Sequence, residues 1–309
     1  VDLTAALLRI AARRPHVLVV AVPGAVPVRL ALEAALAQRG WPAAAAPADA
    51  DVLAVAGVPG PRLAAVAERI WSQVPAPRAR IGITGPADVG AALDAAAPRL
   101  RDVGRQRTAQ AERPDDPADP PMADLGEDRD GLTLDRLHVP LGPVLPEWPA
   151  GLVVRATLQG DVVQEAEAEV LDPGPPFAWP NAVARELDAL ARFLGVAGWP
   201  APAARARALR DRALVVSASA EVDALVRRVR RSRTLWWSVR GLPTGPTDVA
   251  ALLQERLGAL ERGEGTSTGR AVEELPDLLV GAELAAARLI IAAADPDTER
   301  VAVPGPADG

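Results

Sequence analysis

The chain has 309 residues, 49% hydrophobic and 24% charged, with a formal net charge of −6, the balance of an ordinary globular protein long enough for two cores. It has no cysteine and only two histidines, His16 and His138. That excludes disulfides, thiolate nucleophiles, cysteine-held iron–sulfur clusters, a cysteine-bound nickel–iron centre and three-histidine metal sites. The acidic balance also speaks against nucleic acid as a partner, because phosphate binding relies on clustered cations.

The opening "VDLTAALLRIAARRPHVLVVAV" carries its arginines on the wrong side of the apolar run for a secretory signal. Residues 16–22 ("HVLVVAV"), 51–57 ("DVLAVAG") and 79–85 ("ARIGITG") are short apolar runs suited to strands buried on both faces. Between them "VRLALEAALAQRG" and "PRLAAVAERIWSQV" show helical spacing, the first ending at Gly40 and the second opening on Pro61 at a typical first helical position. The β-α-β-α-β order predicts a doubly wound, flavodoxin-like parallel sheet over residues 1–104. Pro59 and Pro86 then fall just past the carboxyl ends of two strands, where open α/β sheets usually hold ligands.

Residues 105–130 are rich in proline and charge, include the single methionine Met122, and read as an exposed linker between two once-separate reading frames. The second domain, 131–309, opens with a small antiparallel sheet over 131–172. Within it "GLVVRATL" and "VVQEAEAEVL" flank Gln159-Gly160-Asp161 as a hairpin with one wet face, Val163, Glu165, Glu167 and Glu169 alternating against Gln164, Ala166, Ala168 and Val170. From Asn181, a plausible N-cap, helices are predicted over 181–197, 201–214, 218–240, 247–262 and 272–294. The most apolar of these stretches carries Glu283 and Arg288, so no membrane span is expected.

The segment 50–86 resembles the iron–sulfur B subunit (20 kDa type) of NADH:quinone oxidoreductase, complex I, and the small subunit of nickel–iron hydrogenases. "ADVLAVAG", "WSQVPAP" and "IGITGP" follow that family's strand, its helix ending in Gln-hydrophobic-Pro-x-Pro, and its next strand, in the same order. The second half resembles the D subunit (49 kDa type) and the hydrogenase large subunit. There "GPVLPEWPAGLVVRATLQGDVVQEAE" is similar to the family's GPxHP turn and hairpin, "ARELDALARFL" to its arginine- and glutamate-bearing helix, and "LIIAAADPDTERV" to the C-terminal hydrogenase segment.

The departures govern what this resemblance implies. The cluster-ligand positions fall on Pro59 and Pro86, the quinone-contacting histidine falls on Leu145, and the chain has no tyrosine at all. The expectation is a non-redox structural or coupling subunit of a complex I-like assembly, with no cofactor. It would dock on the cytoplasmic face of antiporter-like membrane subunits, peripheral to the membrane. The alternative is a quinone or other apolar small molecule in a remnant cavity between the domains.

Candidate cavity or partner contacts are His138, Gly142, Pro143 and Trp148 around the former quinone turn, and Arg233, Trp236 and Trp237 in "RRVRRSRTLWWSVRG". The blander reading of His138 is a strand-end histidine with one hydrogen bond. For the arginine–tryptophan stretch it is an amphipathic helix with solvated arginines and buried tryptophans.

Overall fold

A computed structural model describes residues 12–111, 124–127, 133–216, 219–266 and 269–299. The first half contains strands β1 (Val17–Ala21), β2 (Val52–Ala56) and β3 (Ala79–Ile83) in one parallel sheet of order β1-β2-β3. Helix α1 (Val26–Arg39) and helix α3 (Val89–Arg101) join one face, where Leu32, Leu36 and Leu93 pack on Val17, Val52, Ala54 and Ile81. Helix α2 (Pro61–Gln73) covers the other face, with Leu63 and Ala67 on Leu18, Leu53 and Val55. Apolar side chains on both faces of β1 and β2 explain why those two runs are continuous, whereas β3, at the sheet edge, alternates, with Ala79, Ile81 and Ile83 buried and Arg80 and Gly82 on its more open face.

The segment expected as a linker starts with structure. Helix α4 (Val103–Ala111) docks through Gln106, which is buried, accepts the Arg78 N–H at 2.8 Å and donates to the carbonyls of Arg78 (3.1 Å) and Arg99 (2.8 Å). One polar side chain thus anchors a sequence that composition alone marks as solvated. Strand β4 (Asp124–Glu127) also falls in that segment, while Met122 and most of 112–132 lie outside the described residues.

Strands β4, β5 (Thr133–Leu141), β6 (Leu152–Gln159) and β7 (Val162–Val170) form an antiparallel meander in that order. The hairpin turns at Gly160, as expected, but its alternation breaks at one place. Thr157 pairs with Glu165 and Leu158 with Val163, so Gln164 is an extra residue and the bulge returns Val163 to the core.

Helices α5 (Ala182–Val196), α6 (Pro200–Ala213), α7 (Ser219–Arg230), α8 (Arg233–Val239), α9 (Val249–Arg262), α10 (Leu275–Leu279) and α11 (Leu284–Ala294) complete the second half around one large core. Asn181 caps α5, accepting the Ala184 N–H at 2.7 Å. The helix expected over 218–240 is two, because Ser232 accepts the Leu235 N–H and starts α8 afresh. The helix expected over 272–294 is also divided. Residues 280–283 leave helical geometry and the chain pairs there with the edge of the sheet, the N–H groups of Gly281 and Leu284 donating to Val163 and Asp161 at 2.8 Å each and the Val163 N–H to Ala282 at 2.9 Å. The start of β7 at the sheet edge is thereby paired.

Candidate functional site: a charged cleft between the two halves

The two halves meet where α1 faces α5 and α6. A helix presenting arginine and glutamate four residues apart, Arg29 and Glu33, meets helices that bury Asp188 and Arg210 almost completely. The four side chains close a ring of alternating charge. Arg29 makes two bonds to Asp188 (2.9 and 3.1 Å) and one to Glu33 (2.9 Å), and Arg210 joins Glu33 (2.6 Å) to Asp188 (2.7 Å). Two members come from each half.

A second ring lies beside the first. Asp295, in the left-handed conformation at the end of α11, is flanked by Arg185 (3.3 Å) and Arg256 (3.5 Å), and both arginines also pair with Glu186 (3.1 Å each). Thr266 completes the Glu186 shell through its N–H (3.0 Å) and hydroxyl (2.7 Å). Arg192 links the rings, 3.6 Å from Asp188 and 2.6 Å from Asp295. Helix α5 supplies Arg185, Glu186, Asp188 and Arg192, members of both rings and the bridge between them.

Desolvation on this scale is tolerated because each buried carboxylate meets at least two guanidinium groups or their equivalent in hydrogen bonds. Burial acts to raise the Asp188, Glu33 and Asp295 carboxyls, but the summed attraction of their arginines overcomes it and holds all three below the ordinary carboxylate range. Three neighbours go the other way. Burial outweighs Arg207 at Glu147, Arg210 at Asp211 and the Gly24 N–H at Glu299, and lifts each of them above its ordinary value.

A cleft of about 790 Å³ opens over these rings, its wall including Arg29, Glu33, Asp188, Arg192, Leu145 and Trp148. Leu145 and Trp148 belong to the turn after β5. Gly142, at φ +86°, leaves space there for Trp148, whose indole N–H donates to the Leu152 carbonyl at 2.7 Å. Trp148 is therefore a buried anchor of the turn as well as part of the cleft wall. Gly142 and Pro143 are half-buried in the same turn and shape it without lining the cleft.

The other sequence-derived positions lie elsewhere. Pro59 is half-buried and Pro86 is exposed at the start of a single turn, Pro86–Asp88, and neither lines the cleft. His138 is exposed on β5, its Nδ1 3.2 Å from the Thr157 hydroxyl. Arg233, Trp236 and Trp237 sit on and around α8. The expectation of buried tryptophans fails there: Trp236 is half-buried, and Trp237 is 82% exposed.

The strand ends of the parallel sheet do not fit a metal cluster. Pro59 and Pro86 carry no donor, and the nearby acids are already used. Asp88 accepts from Thr84 and Gly85, and Asp172 reaches over from the second half to accept the Leu63 N–H at 2.7 Å, capping α2. Among the described residues no group of three or more His, Asp or Glu is arranged to hold a metal ion, and no helix is long and apolar enough to cross a membrane.

Fold and site together define a mixed α/β protein in which a parallel three-stranded sheet and an antiparallel sheet with helices share a charged interface. No family model, curated protein or solved structure matches the chain.

Proposed function

We propose that the chain is a non-redox structural or coupling subunit of a complex I-like membrane assembly. It docks from the cytoplasmic side on antiporter-like membrane subunits. The observation that carries this reading is the pair of linked charge rings, one of which spans the two halves. A displacement of α1 relative to α5 and α6 must break contacts among Arg29, Glu33, Asp188 and Arg210, and Arg192 passes the change to Asp295. Coupling by conformation without electrons requires such a network to have a second discrete arrangement, and in this proposal the rings are that switch.

The flavodoxin-like winding belongs to the same proposal. It is supported by a parallel bridge between Val17 and Ala43, which puts a one-residue strand outside β1 and gives the order 43-β1-β2-β3.

Metal analysis and redox titration of the purified chain test the non-redox half. The expected result is a colourless protein that takes up no electrons. Stoichiometric iron that follows the chain through purification overturns it.

A second reading is favoured by the cleft itself, whose wall at Leu145 and Trp148 offers an apolar strip to a quinone or another flat apolar molecule. A short-chain quinone that raises the melting temperature at saturation supports this reading, and the absence of any shift removes it.

A further inference from the structure

The chain is acidic as a whole, yet residues 224–247 contain no Asp or Glu and six arginines: 227, 228, 230, 231, 233 and 240. The end of α7 and the short α8 fold this stretch around a hollow of about 620 Å³ lined by Arg230, Arg231, Arg233, Trp236, Trp237 and Arg240, with Thr234. Arg230 is held by Glu261 at 2.8 Å, and Arg228 lies over the Trp199 ring. Arg231, Arg233 and Arg240 are exposed and form no ion pair with a described carboxylate. Asp248, the acid near Arg240, is turned onto the N–H groups of Gly241 (3.1 Å) and Ala251 (2.7 Å).

The two tryptophans divide the work. Trp236 donates its indole N–H to the Arg230 carbonyl at 3.0 Å and fixes the floor of the hollow, while Leu235 and Val239 bury the inner face of α8. Trp237 stands out at the rim and is the one mostly exposed aromatic side chain among the described residues. A single free aromatic does not make the row of stacking platforms that a nucleic-acid strand uses. An exposed indole beside unpaired cations is the composition found at the water–headgroup boundary of bilayers.

We propose that this hollow takes the phosphate-bearing headgroup of an anionic membrane lipid and seats the chain on a bilayer surface, with Trp237 entering the interface. The proposal adds a direct lipid contact to the membrane docking above. It rests on that reading only for its setting. Vesicles contain no membrane subunits, so failure here and failure to recover a protein assembly are separate results.

The test is co-sedimentation of the full chain with vesicles of phosphatidylcholine and of phosphatidylcholine mixed with phosphatidylglycerol, at low and raised salt. Binding is expected on the anionic vesicles alone and to weaken with salt. The double variant Arg231→Gln/Arg233→Gln is expected to bind about 25-fold more weakly, which corresponds to about 1 kcal/mol per cation removed. Trp237→Ser is expected to lower binding as well, and brominated lipid should quench the native chain more than this variant. All three positions are exposed, so unfolding curves equal to the native chain's confirm that the variants are folded. The proposal is overturned by no binding to anionic vesicles, or by equal binding of the double variant. It is equally overturned if an acidic peptide, a single-stranded oligonucleotide or inorganic phosphate binds this surface while vesicles do not.

Discussion

Asp188 is the residue on which the interface turns. It accepts from Arg29 and Arg210 and lies beside Arg192, and its side chain is 2% exposed. Asp188→Asn keeps the shape but leaves several guanidinium groups short of a buried counter-charge, a change that costs about 3 to 5 kcal/mol. An unfolding free energy from urea titration that falls by less than about 1 kcal/mol would show that water, rather than the ring, satisfies those arginines.

The same groups set the acid response. Asp188, Glu33 and Asp295 have depressed folded values, so their stabilisation is complete above the ordinary carboxylate range near about pH 4 and is lost as pH falls through those folded values. Glu147, Asp211 and Glu299 have raised values, so the folded state favours their protonated forms and loses that advantage as pH rises through them. Urea midpoints measured across pH should therefore peak on the acid side of neutrality and drop steeply below about pH 4. A flat profile from neutral to strongly acidic pH would contradict the ring assignment. Gly142 gives an independent check on the turn: a Cβ there would lie 2.3 Å from both the Leu152 carbonyl oxygen and the Trp148 indole nitrogen. Gly142→Ala should destabilise by about 2 kcal/mol or more, since the obstructing atom is backbone and the φ is left-handed.

Among the elements, the strands and most helices are legible because apolar periodicity and caps agree locally. The runs at 16–22, 51–57 and 79–85 contain β1, β2 and β3, and Asn181 does start α5. The losses have specific causes. Strict alternation puts the apolar Val163 in phase with Glu165, Glu167 and Glu169, and the bulge at Gln164 that returns it to the core has no other sign in the sequence. Residues 280–283 sit inside an apolar helical pattern and leave it at Gly281, whose φ is +86°, where a sheet edge distant in sequence takes the Gly281 and Leu284 N–H groups. Helix α5 held a readable clue in Arg185, Glu186, Asp188 and Arg192, charges set among apolar residues that leave no wide solvent face. Their partners on α1, α6 and α9 are set by tertiary packing alone. The cap on α2 is likewise supplied across the interface by Asp172. Asp172→Ala is expected to cost about 1 kcal/mol, the usual worth of a capping side chain, and to leave the sheet intact by circular dichroism. No loss of stability would mean that water caps α2 equally well.

For the whole molecule, the contact between the two halves is the feature that forms the cleft and its charge. Gly174 lets them approach closely, since a Cβ there would fall 2.2 Å from the Pro23 carbonyl oxygen, and the first charge ring makes a second contact between them. The division into an α/β half and a sheet-and-helix half is visible in the sequence. The cleft, its charge and the anchoring role of Trp148 emerge only when those halves meet. As proposed above, the chain belongs to a membrane assembly in which it moves no electrons. The most direct test is the protein composition of the complex recovered when the chain is tagged in its own cells and purified from detergent-solubilised membranes. The account predicts stoichiometric antiporter-like membrane subunits alongside the chain. Recovery of the chain as a monomer in the soluble fraction, with no membrane partner, would contradict it.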